Sequence, residues 1–154
     1  MLAKWVVSDY NESKSEVMMR ELLARLRADY PGLRFREGRK FAFRPPRTVT
    51  YERFDVEADN VYQKMQMLHE MGHALLKHQR WTTDVERVKM ESAAWAKAAE
   101  LAERYGVEYE AEFAETELDS YRNWLHQRSV CGRCGLTRYQ TPDGEYHCPQ
   151  CEML

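Results

Sequence analysis

The stretch MLHEMGHALLKH, residues 67–78, decides how the chain is interpreted, because it carries three of the five histidines. His69 and His73 are four residues apart, a rotation of about 40° on an α-helix, so both imidazoles lie on one face, one turn apart. Two neutral imidazoles arranged in this way can chelate one zinc ion. Glu70 is rotated about 100° from His69, beside such an ion rather than on it. The pattern predicts a zinc site with Glu70 as its general base.

The third ligand of this site has to come from another segment. His78 is nine residues from His69, about 180° around the helix, so it is expected to face away unless the helix ends first. Glu91 lies in the middle of the apolar stripe of a helix predicted over 84–105, where a buried carboxylate needs a partner or a metal. The alternative partner is Arg87, one turn earlier. We predict Glu91 as the third ligand, with the fourth position open.

Two histidines, one glutamate ligand and an adjacent free glutamate are the set found in zinc metallopeptidases. In such a site Glu70 takes a proton from the attacking water and passes it to the leaving amine. The oxyanion that forms needs a hydrogen-bond donor as well. Tyr51, Tyr121 and His126 are candidates for that donor, and the sequence does not choose among them.

Two segments together resemble the ImmA/IrrE group of HExxH zinc metallopeptidases. They are LHEMGHALLKH (68–78) and MESAAWAKAAEL (90–101). The family pattern joins a HELGHALL-like helix to a later E-x-x-A-[ND]-x-F-A segment that supplies the glutamate ligand. This chain departs from the pattern at Trp95, where the family has Asn or Asp, and at Lys97, where it has Phe.

The resemblance implies zinc on His69, His73 and Glu91, with Glu70 as the catalytic acid/base. It also implies a minimal gluzincin-like α+β fold, in which helices pack on a small sheet and an edge strand lines the cleft. The segment RTVTYERF (47–54) is our candidate for that edge, able to pair with an extended peptide. Family members often cut or inactivate helix-turn-helix repressors, which makes a DNA-binding repressor a candidate substrate.

Apolar periodicity and turn residues predict the remaining organisation. Helices are expected over 11–30, 58–79, 84–105 and 108–127, with two or three short strands within 33–56. Five arginines and one lysine fall between Arg34 and Arg47. We interpret them as a solvated strand face, with a substrate or nucleic-acid contact as the alternative.

The end of the chain carries a second predicted metal site. Cys131, Cys134, Cys148 and Cys151 have the spacing C-x2-C-x13-C-x2-C, which is typical of a closed structural zinc site. TPDGEY (141–146) between the two pairs is expected to form a hairpin turn. We therefore predict a metallopeptidase domain over 1–128 and a zinc ribbon over 129–154. Arg133, Arg138 and Tyr139 make nucleic-acid contact by the ribbon conceivable, and protein contact equally so.

Composition limits the remaining classes. With 154 residues and a net charge of −2, the chain has no global polyanion-binding character. Neither a membrane span nor a secretory signal is expected, and the paired cysteines suit metal in a cytoplasmic protein. The expected function is a zinc endopeptidase with two zinc ions, acting on a protein substrate. The alternatives are a SprT-like DNA-associated protease, disfavoured because its third ligand is usually histidine, and a non-catalytic zinc-binding regulatory module.

Overall fold

The computed structural model describes residues 17–54 and 59–153, which form an α+β architecture of four helices and two small sheets. The elements in chain order are α1 (Met19–Asp29), β1 (Arg34–Gly38), β2 (Ala42–Arg44), β3 (Thr48–Glu52), α2 (Val61–Leu75), α3 (Asp84–Tyr105), α4 (Ala111–Ser129), β4 (Tyr139–Gln140), β5 (Tyr146–His147) and a 3₁₀ turn (Cys151–Met153). The predicted α+β class is confirmed. The gluzincin-like arrangement stays a prediction.

The helices begin and end close to the predicted residues. The helix predicted over 84–105 is confirmed at both ends, because Thr83 and Glu86 form a reciprocal capping box and Gly106 ends it at φ 69°. The second helix is four residues shorter than predicted at its C-terminal end and stops at Leu75. Of the helix predicted over 11–30, residues 11–16 lie outside the described part of the chain, as do 55–58 between β3 and α2.

The three-stranded sheet has the order β1-β3-β2, with β1 parallel and β2 antiparallel to β3. The prediction that residues 47–54 form the edge strand is therefore wrong. Val49, Thr50 and Tyr51 are all buried, as expected of a central strand covered on both sides. The edge that faces the helices is β2, a three-residue strand followed by Pro45 and Pro46, which have no N–H to continue a ladder.

One apolar core joins α1, the inner face of the sheet, and α2 to α4. Its most buried members include Leu22, Leu26, Val49, Leu68, Met71, Trp95, Leu101 and Leu118. Within the described residues, no helix has both the length and the apolar character that a membrane crossing requires.

The second sheet is the β4–β5 hairpin, joined by the predicted turn over 141–146. It lies against the N-terminal end of α3, where Gly144 approaches the carbonyl of Thr82 so closely that a Cβ would be 2.7 Å from its oxygen. Asp84, buried at the start of α3, accepts hydrogen bonds from Arg128 Nε at 2.6 Å and from the Tyr146 hydroxyl at 2.8 Å. The hairpin that lies between the two cysteine pairs is thus held against the helix that carries Glu91. The division into residues 1–128 and 129–154 stays a prediction.

The contact between α2 and α3 depends on Gly72. A Cβ built on Gly72 would lie 2.5 Å from the carbonyl oxygen of Ala94 and 3.1 Å from its Cα, so the two backbones touch. Only glycine permits so close an approach. Because Ala94 is one turn beyond Glu91, this approach fixes the distance between the Glu91 carboxylate and the histidines of α2.

The variant Gly72→Ala is expected to lower the free energy of unfolding by about 1–3 kcal/mol, because the added methyl group must push backbone rather than a flexible side chain. It is also expected to weaken metal binding by moving Glu91 away from α2. Differential scanning calorimetry and metal titration measure the two effects. Gly32→Ala is the matched control, since nothing lies within 4 Å of its Cβ. Equal effects of the two substitutions would contradict this account.

Candidate metal centres

His69 and His73 project from the same side of α2, as the HExxH spacing predicts. Their Nε2 atoms are 3.1 Å apart, and the rings are nearly perpendicular, at 88°. His69 is buried and His73 is partly buried. Helix geometry and packing thus direct two ring nitrogens at one point.

Glu91 completes this group from α3. Its Oε2 lies 3.2 Å from His69 Nε2 and 3.3 Å from His73 Nε2, and only 8% of the residue is exposed. Burial alone would raise the pKa of Glu91, but hydrogen bonds from His69 and His73 outweigh it and lower the pKa to about 2. The carboxylate is therefore ionised, as a metal ligand has to be.

The three ligand atoms fit one metal ion. A tetrahedral zinc ion about 2.0–2.1 Å from each ligand has neighbouring ligand atoms about 3.3–3.4 Å apart. The observed separations are 3.1, 3.2 and 3.3 Å. His69, His73 and Glu91 can therefore occupy three corners of a tetrahedron and leave the fourth open, although the identity of the metal stays a prediction.

The alternative partner of Glu91, a salt bridge to Arg87, does not form. The Arg87 guanidinium lies instead over the rings of Trp81, Trp124 and Tyr121, at 4.6, 4.7 and 5.2 Å from their centroids. These contacts are cation–π interactions. Within the described residues, Glu91 pairs with the two histidines alone.

His78 turns back toward the site because α2 ends at Leu75. Lys77 has a left-handed backbone conformation, φ 55°, and this reverses the direction predicted for a continuous helix. His78 Nδ1 lies 2.8 Å from His73 Nδ1. If His73 Nε2 bound a metal, the ring proton would be on Nδ1, and this N–H would donate a hydrogen bond to His78 Nδ1. Burial, and next the neighbouring His73, lower the pKa of His78, so it stays neutral and can accept that bond.

His69 is supported differently, by stacking. The Trp95 ring lies 4.3 Å from the His69 ring at 27° between planes. Within the described residues, His69 Nδ1 has no hydrogen-bond partner. Trp95 stands where the ImmA/IrrE pattern has Asn or Asp, so an aromatic surface takes the position of a polar side chain beside one ligand.

Glu70 is partly buried and reaches the open edge of the sheet. Its Oε2 accepts a hydrogen bond from the Phe43 N–H of β2 at 2.5 Å. In an antiparallel strand the N–H and C=O of one residue point the same way, so the Phe43 carbonyl also faces this open edge. β2 therefore lies beside the metal-ligand group.

Of the three candidate oxyanion donors, Tyr121 is the one with structural support, because its ring centroid lies 5.2 Å from the Arg87 guanidinium, one helical turn before Glu91. The charges of Glu91 and Glu70 both reach its hydroxyl. Burial, and next the Glu91 charge, raise the pKa of Tyr121 to about 12, so its hydroxyl stays protonated and can donate. Tyr51 instead accepts a hydrogen bond from Arg27, and His126 is exposed, with its backbone carbonyl accepting a hydrogen bond from the Ser129 hydroxyl.

The four cysteines also come together. Cys131 Sγ lies 4.0 Å from Cys151 Sγ, and Cys134 Sγ lies 3.5 Å from Cys148 Sγ. Four sulfurs about 2.3 Å from a tetrahedral zinc ion are about 3.8 Å apart, which these distances bracket. Backbone N–H groups of Cys134 and Arg133 lower the pKa of Cys131 to about 6, which favours its thiolate. The group can hold a metal ion.

The three ribbon residues that the sequence offers for nucleic-acid contact differ in their exposure and contacts. Arg133 and Tyr139 are exposed. Arg138 donates from its guanidinium to the Arg128 carbonyl at 2.5 Å and lies 4.7 Å from the centroid of the Tyr146 ring. Arg138 therefore holds the ribbon against α4, whereas the exposed Arg133 makes no ion pair within the part of the chain that the structure describes.

Three features of the site have no clear signal in the sequence. The reversal at Lys77 is marked by neither glycine nor proline, so nothing indicates that His78 returns to His73. The bond from Phe43 to Glu70 is made by a backbone N–H, which every non-proline residue carries. Of the three candidate oxyanion donors, Tyr121 is distinguished only by the packing of α4 on α3, which is a non-local contact.

Comparison of the chain with protein-family models, with curated proteins and with solved structures gave no match in any of the three. The resemblance to the ImmA/IrrE group therefore stays a prediction that depends on residues 68–78 and 90–101.

Elemental analysis of the purified protein is expected to find two zinc ions per chain, one for each ligand group. His73→Ala should remove one ion and Cys131→Ser the other, because each change deletes a ligand from one group only. His126→Ala is the control and should keep both. A single ion that is lost with Cys131 and kept with His73→Ala would contradict the His₂Glu site.

Proposed function

We propose that this protein is a zinc-dependent metalloendopeptidase that hydrolyses peptide bonds of a protein substrate. The observation that carries the proposal is the triangle of His69 Nε2, His73 Nε2 and Glu91 Oε2, with sides of 3.1–3.3 Å, next to the Glu70 carboxylate, which lies outside the triangle. A closed structural site would fill all four positions with protein ligands, whereas three ligands and an adjacent base are the set needed for hydrolysis.

A zinc ion held by His69, His73 and Glu91 would polarise the scissile carbonyl as a Lewis acid and lower the pKa of a bound water molecule. Glu70 accepts the proton from the attacking water and delivers it to the leaving amine. Its Oε2 is already oriented by the Phe43 N–H, so the carboxylate loses little rotational freedom on reaching the reactive position.

β2 is the element that we propose aligns the substrate. Its inner side pairs with β3, while the Phe43 carbonyl faces the side where the metal ligands lie and the Phe43 N–H is bonded to Glu70. An extended peptide added along this edge would donate a backbone N–H to the Phe43 carbonyl, a contact that does not depend on the peptide's side chains. That mode of binding requires an unfolded or flexible segment, so the substrate is a protein loop, terminus or linker.

Tyr121 is our candidate for the oxyanion donor. Its raised pKa, about 12, to which burial and the charges of Glu91 and Glu70 contribute, keeps the hydroxyl proton at neutral pH. A protonated hydroxyl that is fixed by packing before the reaction begins needs no reorganisation in order to stabilise developing negative charge.

A helix-turn-helix repressor as substrate, and recruitment of substrate by the ribbon, rest on the resemblance and on the exposed ribbon face. The SprT-like alternative is less well supported, because the third group beside the two histidine Nε2 atoms is the Glu91 carboxylate. A second candidate function, a non-catalytic metal-binding regulatory module, is favoured by one contact. The hydrogen bond from the Phe43 N–H to Glu70 Oε2 engages one of the two carboxylate oxygens that the proposed base would use to accept a proton.

The variant Glu70→Gln is expected to keep both zinc ions and to lose at least about 100-fold in kcat, since the amide cannot accept the proton. Cleavage is measured on a library of proteome-derived peptides, with product sites identified by mass spectrometry. Glu103→Gln, on the exposed side of α3, is the matched control. Cleavage by zinc-loaded Glu70→Gln at the wild-type rate would contradict the mechanism. A wild-type protein that binds a partner and leaves it intact would favour the regulatory module.

The variant Tyr121→Phe is expected to lower kcat by about 100-fold and to leave KM nearly unchanged, because the lost hydrogen bond forms only as the oxyanion develops. Steady-state kinetics on one cleaved peptide separates the two constants. Tyr139→Phe on the exposed face of the ribbon is the control for removing a tyrosine hydroxyl. An unchanged kcat would exclude Tyr121 as the donor.

A further inference from the structure

A cleft of about 550 Å³ opens beside the proposed active site. Phe43 and His78 belong to its wall, and these two residues also contact the site, Phe43 through Glu70 and His78 through His73. A peptide bond held at the metal ligands therefore has a neighbouring side chain at the mouth of this cleft.

The walls of the cleft are mostly apolar, and its charged groups are mainly cationic. Tyr30, Leu33 and Phe43 line it together with two cations, Arg47 and Lys77. Both cations are exposed, and within the described residues neither has an ion-pair partner.

The single acid of the cleft wall, Asp29, is already engaged. It accepts a hydrogen bond from the Tyr105 hydroxyl at 2.5 Å and pairs with Arg104 at 3.3 Å. The charge that the cleft offers to a bound side chain is therefore positive.

The backbone at Lys77 keeps this cation at the cleft. Lys77 has φ 55°, a backbone conformation that is unfavourable for a residue with a Cβ and that glycine or asparagine usually adopts. Hydrogen bonds from Lys77 N–H to the Ala74 carbonyl and from His78 N–H to the His73 carbonyl hold this turn. The same turn presents His78 to His73 and Lys77 to the cleft.

We propose that this cleft is a specificity subsite that selects an acidic side chain in the substrate, close to the scissile bond. The inference rests on the proposed peptidase function and adds the substrate class to it. The aliphatic stem of a glutamate packs on the apolar walls, and its carboxylate pairs with Arg47 and Lys77. A large apolar side chain would fill the same walls and leave both cations without a counter-charge.

The test compares peptides that differ in one residue. Sites cut by the zinc-loaded full chain, and not by Glu70→Gln, are first collected from a proteome-derived peptide library. The best site is then synthesised with glutamate and with glutamine at each position near the scissile bond. The glutamate peptide is expected to have a kcat/KM about 10-fold higher at one position, the size expected for two partly exposed ion pairs. This preference should fall as salt is raised.

Substitution of the two cations tests whether the cleft causes the preference for glutamate. Lys77→Asn removes the charge with a residue that tolerates the left-handed conformation. It should reduce the preference about threefold, as should Arg47→Gln. Arg36→Gln, on the same sheet but outside the cleft, should leave the preference unchanged. Equal cleavage of the glutamate and glutamine peptides at every position, or a preference for large apolar residues, would overturn the subsite while the peptidase function stands.

Absence of cleavage of every peptide would count against the proposed peptidase function. A binding measurement tests the charge preference of the cleft even in that case. Acetyl-Ala-Glu-Ala-amide and acetyl-Ala-Gln-Ala-amide are titrated into zinc-loaded Glu70→Gln while the amide NMR signals of Lys77, His78 and Arg47 are followed. The glutamate peptide is expected to shift these signals at about 10-fold lower concentration. Identical titrations with the two peptides would overturn the proposal.

Discussion

The close approach of α2 to α3 at Gly72 is the constraint on which the rest of the site depends. The Ala94 carbonyl lies where a Cβ on residue 72 would be, so only glycine lets the two backbones touch. One turn before Ala94, Glu91 then reaches both His69 and His73 within 3.3 Å. Two helices at a more usual separation of about 8–10 Å would hold the carboxylate farther from the histidines. The metal-ligand group is thus a consequence of backbone packing as much as of ligand identity.

Helical periodicity was enough to predict that His69, His73 and Glu91 come together and that Glu70 follows His69 on the same helix. Spacing alone puts His69 and His73 on one face, and the apolar stripe of α3 identifies Glu91 as a buried carboxylate. The sequence failed where structure depends on non-local pairing or on an unmarked turn. Strand order is set by contacts between distant segments, so residues 47–54 were wrongly expected at the edge. Neither glycine nor proline marks the end of α2 at Leu75 in the sequence.

The two predicted metal groups are connected through α3. Asp84 at its N-terminal end accepts hydrogen bonds from Arg128 and Tyr146, and Glu91 lies two turns further along the same helix. Burial would raise the pKa of Asp84, but the bonds from Arg128 and Tyr146 outweigh it and lower the pKa. The carboxylate is thus ionised at neutral pH, and the stability it contributes is lost as pH falls through its lowered pKa. The ribbon therefore helps to hold the helix that supplies the third ligand.

The most direct test of the central claim is a crystal structure with diffraction recorded on both sides of the zinc absorption edge. The account predicts two anomalous peaks. One lies about 2.0–2.2 Å from His69 Nε2, His73 Nε2 and a Glu91 carboxylate oxygen, with a fourth position open to solvent, and the other lies among the four cysteines. A single peak at the cysteines, with Glu91 still hydrogen-bonded to both histidines in zinc-saturated crystals, would contradict it.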